Sequence, residues 1–168
     1  ALLGTDFCIP FAGQENVEFS PGLIFRCADL PQLCIGVEIC EDLWVADTPS
    51  TRLAQGGATL ILNPSASDET VCKDAYRRTL LEATSGRLVC GYVYADAGWG
   101  ESSTDLIYAG HSLIAENGTI LAQRRFETGL TVTELDLEKL CHERQRMSTF
   151  PADAPDVFPQ YFRLNVEE

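Results

Sequence analysis

The segment that decides the fold is Ile35-Gly36-Val37-Glu38-Ile39-Cys40-Glu41-Asp42-Leu43-Trp44, where an apolar run changes abruptly into a carboxylate-rich loop. The Val- and Ile-rich part predicts a central β-strand. Cys40 would then lie at the carboxyl end of that strand, where ligands and catalytic groups collect in α/β folds. Because a free cysteine is also among the most buried residue types, the local sequence leaves two interpretations open: a reactive thiol or a small core residue.

The rest of the chain alternates strand and helix patterns, which predicts an α/β fold with a mixed sheet. The Asn117-Gly118 pair is a strong hairpin-turn signal between two of the strands. Residues 1–22 are rich in glycine and proline and are predicted as loop with one short strand. We predict strands at residues 23–28, 32–40, 58–62, 88–94, 112–116, 119–124 and 130–135, and helices at residues 51–55, 73–85 (ended by Gly86) and 136–147.

Composition limits the classes of function. The 168 residues are 45% hydrophobic, enough for one domain with a sizeable core. A net charge of −13 disfavours nucleic acid and anionic membranes as partners, because binding phosphate needs a cationic surface. No apolar run approaches the about 20 residues of a membrane span. We therefore expect neither nucleic acid nor membrane as a partner.

Cysteine usage favours free thiols. The seven cysteines are odd in number and scattered, and several lie in apolar, strand-like segments. This pattern is typical of reduced thiols in a cytoplasmic protein rather than of a disulfide framework. There is no Cys-x-x-Cys pair, and His111 and His142 are far apart, so we expect no metal site. Nothing in the sequence couples either histidine to Cys40, so a nucleophilic Cys40 would need another activating group.

The run from Gly36 to Val45 resembles the nucleophile motif of the nitrilase, or carbon–nitrogen hydrolase, superfamily. More narrowly, the chain is similar to the glutaminase domain of glutamine-dependent NAD synthetases. The similarity continues, in order, through residues 58–67, Lys73, residues 76–78, 91–95, 100–106 and 110–118. The resemblance implies an αββα sandwich, of which this chain would form part, and a Glu–Lys–Cys catalytic triad.

The same resemblance implies roles for individual residues. Cys40 would attack the side-chain amide of glutamine and form a thioester, and the backbone N–H of Glu41 would stabilise the oxyanion. The Glu41 side chain and Ser67 would hold the α-amino group of glutamine, Lys73 would pair with its α-carboxylate, and Trp44 would form an apolar wall. Structural alternatives remain open: Trp44 as a core aromatic residue, Ser67 as a helix N-cap and Lys73 as a solvated first-turn residue.

A second signature loop of the family matches Glu101, Ser103, Thr104 and Asp105. The residue types do not define a reaction. We favour a structural role, in which the Ser, Thr and Asp side chains satisfy nearby backbone groups.

The chain departs from the family pattern before Cys40. The triad glutamate and lysine of the family both precede the cysteine, but none of the 39 preceding residues is a lysine. Glu15, Glu18 and Glu38 are present without a framing motif, and Glu38 would share a strand face with Cys40. We therefore expect residues 1–150 to be the C-terminal part of a glutaminase domain with little or no activity alone, and residues 151–168 to be an extended arm or linker.

The resemblance also implies partners and cofactors. Glutamine would be the substrate, a C-terminal synthetase domain the partner, and the assembly a homo-oligomer. This domain would need no cofactor, whereas the synthetase domain, absent here, would use ATP and Mg²⁺. Two alternatives stay open: a nitrilase or aliphatic amidase acting on another substrate, and a non-catalytic association module in which Cys40 only packs.

Overall fold

A computed structural model describes residues 7–102, 104–151 and 156–164. Within these residues the regular elements are nine strands, three α-helices and a 3₁₀ helix at Cys40–Leu43. The strands are β1 (Phe7–Phe11), β2 (Gln14–Phe19), β3 (Leu23–Cys27), β4 (Cys34–Val37), β5 (Leu60–Ser65), β6 (Gly91–Asp96), β7 (Ser112–Glu116), β8 (Thr119–Arg124) and β9 (Phe158–Phe162). The α-helices are α1 (Pro49–Gln55), α2 (Lys73–Leu88) and α3 (Leu137–Arg146).

Seven strands form one mixed sheet in the order β8-β7-β6-β5-β4-β3-β9, and β1 and β2 form a separate hairpin. The central strands β4, β5 and β6 are parallel, and β7 and β8 add an antiparallel hairpin at one side. The α/β prediction with a mixed sheet is confirmed. Parallel neighbours need crossover connections, and α1 and α2 supply them between β4 and β5 and between β5 and β6.

The core lies between one face of the sheet and the helices α1 and α2. Alternate strand residues point to this face, and Ile61, Tyr92, Leu113 and Ala115 are completely buried there. Helix α1 packs on β4 and β5, while α2 packs on β6, β7 and β8. The opposite face is less buried: Leu60, Leu62 and Val93 are half-buried there, and Pro64 and Ala95 are exposed.

Helix α2 extends two residues beyond Gly86, which was predicted to end it. The helix passes so close to the β7–β8 turn that a Cβ on Gly86 would lie 3.2 Å from the Cα of Gly118. Gly86 therefore permits a close approach rather than ending the helix. The helix ends instead at Val89, which adopts a left-handed conformation with φ of 48°.

Two further local predictions were wrong. Within residues 1–22, the structure has the hairpin β1–β2 rather than a loop with one strand, because Ala12 and Gly13 adopt positive φ and close a tight turn. Residues 130–135 form no regular strand. Leu130 and Val132 are at least 80% exposed, so little burial favours a strand, and the Arg124 guanidinium binds the Leu130 carbonyl instead.

The segment predicted as an extended arm, residues 151–168, contributes strand β9 where it is described. β9 pairs in parallel with β3 and forms one edge of the seven-stranded sheet. The hydrogen bonding between β3 and β9 continues beyond the end of β3, where the N–H of Ala28 donates to the carbonyl of Phe162 at 2.8 Å.

Candidate active site

Cys40 begins the 3₁₀ helix that follows β4. The strand ends at Val37, so neither Glu38 nor Cys40 lies in it. The prediction that these two residues share a strand face is wrong. Cys40 is half-buried and has a left-handed backbone with φ of 52°. This conformation costs a non-glycine residue about 1–2 kcal/mol, so the surroundings must hold it in place.

The side chain of Asn63 holds the Cys40 backbone in this conformation. The parallel register pairs Val37 with Leu62, which brings the next residue of β5 alongside the turn at Cys40. The N–H of Cys40 donates to Asn63 Oδ1 at 2.8 Å, and Asn63 Nδ2 donates to the carbonyl of Cys40 at 3.4 Å. Ser65 Oγ donates to the same Oδ1 at 2.7 Å. One buried side chain therefore binds both backbone groups of the candidate nucleophile.

The Asn63 amide is joined to a buried carboxyl group through Tyr92. Asn63 Nδ2 donates to Tyr92 Oη at 3.0 Å, and the Tyr92 hydroxyl donates to Glu38 Oε1. The other Glu38 oxygen accepts the N–H of Ser50 at 2.7 Å. Burial raises the pKa of the Glu38 carboxyl above its ordinary value of 4.5 and raises the pKa of Tyr92 as well. We call Glu38, Asn63 and Tyr92 the Cys40 cluster.

Ser67 contacts a second cluster of buried polar side chains. Ser67 is 5% exposed, its N–H donates to Asp96 Oδ1 at 2.8 Å, and its hydroxyl accepts from Arg77 at 3.3 Å. Its main contacts are therefore to Asp96 and Arg77, which belong to β6 and α2.

Arg77 is the centre of this second cluster. The guanidinium is fully buried, 3.1 Å from Glu69 Oε2 and 3.9 Å from Asp96 Oδ2, and NH1 donates to His111 Nδ1 at 2.9 Å. Burial and the nearby Arg77 charge lower the pKa of His111, while burial raises the pKa of Asp96. We call Glu69, Arg77, Asp96 and His111 the Arg77 cluster.

Trp44 and Lys73 are brought together, one from the 3₁₀ helix and the other from the start of α2. Lys73 Nζ lies 5.5 Å from the centre of the Trp44 ring, and Tyr76 also packs on Trp44, with 5.5 Å between ring centres. Lys73 also bonds to Asp68, and this bond lowers the pKa of Asp68. Glu41 is exposed beside Cys40, and its carbonyl accepts the N–H of Trp44 at 2.8 Å.

The sequence model of the carbon–nitrogen hydrolase family matches residues 9–144, which include both clusters and the turn at Cys40. The chain belongs to the carbon–nitrogen hydrolase family. The resemblance predicted from the motifs is confirmed.

Relatives of this carbon–nitrogen hydrolase chain include larger synthetases. It is 44% identical over 141 residues to the glutamine-dependent NAD(+) synthetase of Mycobacterium tuberculosis (strain CDC 1551 / Oshkosh), covering 82% of this chain and 21% of that protein. The human glutamine-dependent NAD(+) synthetase is 31% identical over 159 residues, covering 92% of this chain and 22% of that protein. The chain therefore spans about a fifth of the length of these relatives.

Solved structures agree on the fold. A glutamine-dependent NAD(+) synthetase from Cytophaga hutchinsonii superposes with a TM-score of 0.57 at 31% identity, covering 73% of this chain and 18% of that chain. Nit3 of Saccharomyces cerevisiae, a nitrilase superfamily member, superposes with a TM-score of 0.60 at 22% identity, covering 69% of this chain and 42% of that chain. The prediction of a nitrilase-type fold is confirmed.

The second signature loop of this carbon–nitrogen hydrolase is mostly exposed where it is described. Ser103 lies outside the described residues. Glu101, Thr104 and Asp105 are exposed, and the N–H of Thr104 donates to Ser102 Oγ at 3.3 Å. The structural role of the loop stays a prediction.

The sequence alone assigns no role to the buried residues that contact Cys40 and Ser67. Asn63, Tyr92, Arg77 and Asp96 are buried polar side chains with partners more than ten residues away or on other strands. One signal was available for Asn63, since a polar residue closing an apolar strand beside the nucleophile strand lies at the same sheet edge. Among the described residues, no group of three His, Cys, Asp or Glu side chains could hold a metal ion, and no helix could cross a membrane.

Proposed function

We propose that this chain supplies the cysteine part of a glutaminase site that provides ammonia to an ATP-dependent NAD synthetase. The observation that carries the proposal is the backbone of Cys40, a half-buried cysteine held in a left-handed turn at the carboxyl end of a central strand. Such a turn exposes the side chain of a nucleophile. The 44% identity to a glutamine-dependent NAD(+) synthetase supports glutamine as the substrate.

In the proposed reaction, the Cys40 sulfur attacks the side-chain amide carbon of glutamine. A C–S bond forms, the C–N bond breaks, and the amide nitrogen leaves as ammonia after taking up a proton. Water then cleaves the resulting γ-glutamyl thioester, giving glutamate and the free thiol. The N–H of Glu41 is proposed to donate to the oxyanion in both steps, because it directly follows the nucleophile.

Substrate binding is proposed for four residues around this turn. Lys73 would pair with the α-carboxylate of glutamine, and Trp44, 5.5 Å from the Lys73 ammonium, would form an apolar wall. The Glu41 carboxylate and Ser67 would hold the α-amino group. The Ser67 hydroxyl already accepts from Arg77, which leaves its own proton and one lone pair for a further contact.

The proposed triad needs a lysine and a general base beyond those that this sequence offers near Cys40. The sequence contains two lysines: Lys73 bonds to Asp68, and Lys139 lies on α3, 3.6 Å from Glu116. We therefore propose that the triad glutamate and lysine come from polypeptide outside this sequence, and that the chain alone has little or no glutaminase activity. Ammonia release from glutamine, compared with a C40A variant, tests this requirement, and turnover by the isolated chain would contradict it.

A glutamine-analogue diazoketone tests the proposed site directly. The thiol displaces N₂ from the diazoketone, so that a stable C–S bond forms and the diazo carbon takes up a proton. We expect the L-enantiomer to label Cys40 faster than Cys8 and Cys72, which are exposed, and glutamine to slow only the labelling of Cys40. Peptide mass spectrometry locates the label.

The D-enantiomer is the matched control reagent. Equal labelling by both enantiomers, or labelling spread over the exposed cysteines, would leave the association module as the better account of the fold. Preference for a simple aliphatic diazoketone would favour an amidase acting on another substrate.

A further inference from the structure

We propose that Asn63 is a positioning residue for Cys40, and that Tyr92 and Glu38 fix the orientation in which its amide acts. The inference deepens the proposed function, since it takes Cys40 as the nucleophile. It goes beyond that function because it explains what holds the thiol in place, and it involves residues that take no part in binding glutamine.

The two backbone groups of Cys40 determine which way the Asn63 amide faces. A backbone N–H can only donate and a carbonyl can only accept, so Oδ1 must face the N–H at 2.8 Å and Nδ2 must face the carbonyl. The flipped amide would place a donor against a donor and an acceptor against an acceptor. The orientation of this side chain therefore follows from its partners.

The same logic fixes the Tyr92 hydroxyl. Because Nδ2 donates to Tyr92 Oη at 3.0 Å, the tyrosine oxygen acts as an acceptor there and directs its own hydrogen toward Glu38 Oε1. The other Glu38 oxygen accepts the N–H of Ser50. Asn63 Nδ2 thus donates both to the Cys40 carbonyl and to Tyr92 Oη, and the Tyr92 hydroxyl donates in turn to the buried carboxyl group of Glu38.

This arrangement holds a conformation that cysteine does not favour by itself. The left-handed φ of Cys40 is unfavourable for a residue with a Cβ. Without the two bonds from Asn63, the turn is free to return to an ordinary φ. Such a change would move both the sulfur and the N–H of Glu41, the two groups that the reaction must align.

The test uses the full chain with the substitution Asn63→Ala, and Ser65→Ala as the matched control. Ser65 donates to the same Oδ1 but has no hydrogen bond to Cys40 in the described structure. The first readout is amide hydrogen exchange at Cys40. We expect exchange at least about tenfold faster in N63A, because the N–H loses its acceptor, and a change below about threefold in S65A.

The second readout is the rate at which the L-glutamine diazoketone labels Cys40, followed by peptide mass spectrometry and separated into the maximal rate and the half-saturating concentration. For N63A we expect a maximal rate lower by about tenfold or more with a half-saturating concentration changed by less than about threefold, which is the signature of lost positioning rather than lost binding. With iodoacetamide, which needs no orientation, Cys40 should react faster in N63A because the thiol is released from its half-buried place.

Labelling of Cys90, which is completely buried, reports unfolding. If labelling of Cys90 rises in N63A, the test is made with Asn63→Asp instead. This variant keeps the acceptor for the Cys40 N–H but loses the two hydrogen bonds that Asn63 Nδ2 donates. In a folded N63A, unchanged exchange at Cys40 together with an unchanged maximal labelling rate would overturn the inference. In N63D, where the acceptor for the Cys40 N–H remains, an unchanged maximal labelling rate alone would overturn it.

The outcomes separate this inference from the proposed function. If the wild-type chain shows no preference for the L-glutamine reagent, the proposed function fails. The positioning role is then judged by hydrogen exchange and by the Cys40-to-Cys72 ratio of iodoacetamide rates, and an unchanged ratio in N63A overturns it.

Discussion

The Cys40 cluster holds the turn after β4, whereas the Arg77 cluster includes Asp96 at the carboxyl end of β6, and the two stabilise the candidate site by different means. The Cys40 cluster binds one turn of backbone through a single amide, and its only ionisable members have raised pKa values. The Arg77 cluster buries a permanent positive charge between carboxylates. The first fixes the backbone of Cys40, the proposed nucleophile, and the second fixes the junction between α2 and β6 near Ser67.

The difference has an energetic consequence. A buried guanidinium must keep its partners, because an unpaired charge in the core is very unfavourable, whereas neutral hydrogen-bonding groups cost less when one is removed. Stability should therefore depend more strongly on the Arg77 cluster, and chemical reactivity of Cys40 more strongly on the Cys40 cluster. The following experiments test this division.

The largest loss of stability is expected for Arg77→Met. Removing the guanidinium leaves the buried Asp96 without its positive partner, while Glu69 keeps Arg125 at 3.0 Å, and we expect the free energy of unfolding to fall by about 3–5 kcal/mol. Urea denaturation measures the loss. Arg78→Met is the matched control, since Arg78 is partly exposed and its bond to Glu82 is a helical i,i+4 pair that contributes about 0.3–0.5 kcal/mol. Equal losses in the two variants would remove the contrast.

A smaller loss is expected for Tyr92→Phe. This change removes the hydroxyl between Asn63 and Glu38, and a buried group left without its partner costs about 1–3 kcal/mol. Tyr94→Phe is the control, because Tyr94 Oη is buried beside the hydroxyls of Ser65 and Ser67 without a well-formed hydrogen bond to either in the described part of the chain. Its free energy of unfolding should change by less than about 1 kcal/mol. A Y94F loss as large as that of Y92F would contradict the assignment.

The Cys40 cluster should also give stability a specific pH dependence. The pKa of Glu38 is raised by burial, and Asp42 adds to the effect, so the folded state holds its proton more tightly than the unfolded state. The contribution is fully present below pH 4.5 and is lost as pH rises through the folded pKa. Glu38→Gln should remove this decline. Unfolding free energies of both proteins from pH 4 upward give the difference, and a difference that does not vary with pH would refute the linkage.

The smallest expected effect concerns His111, and its sign is opposite. Because the pKa of His111 is lowered below 6.5, the folded state favours the neutral ring, whose Nδ1 accepts from Arg77. The resulting stability is present above pH 6.5 and is lost as pH falls toward the folded pKa. His111→Asn keeps an acceptor for Arg77 without titrating, so its stability should fall less between pH 6.5 and 5. If the free energies of unfolding of the wild-type protein and of H111N fall equally over this pH range, the proposed role of His111 is contradicted.

Sequence reasoning predicted the parts of the fold that depend on local chemistry. The Asn117-Gly118 pair predicts the β7–β8 turn, and Asp136 predicts the beginning of α3, where its side chain accepts the N–H of Lys139 as the N-cap. The hairpin β1–β2 was missed because its turn, Ala12-Gly13, lacks the usual paired signal.

The candidate site was predictable only in part. Cys40 stood out because of the change in composition after the strand. Asn63 did not, because its bond to Cys40 joins residues 23 positions apart and exists only in the observed parallel register of β4 and β5. The partners of Arg77 likewise come from a loop, from β6 and from the residue before β7, so no periodicity within α2 reveals them.

The direction of the hydrogen bonds in the Cys40 cluster also limits what Glu38 can do. Along this path, a proton leaving the Cys40 turn for Glu38 would have to be taken up by the amide nitrogen of Asn63, which is not basic. This path therefore cannot transfer a proton, although its hydrogen bonds are continuous. Glu38 thus contributes rigidity to the Cys40 turn through this path and does not accept a proton along it.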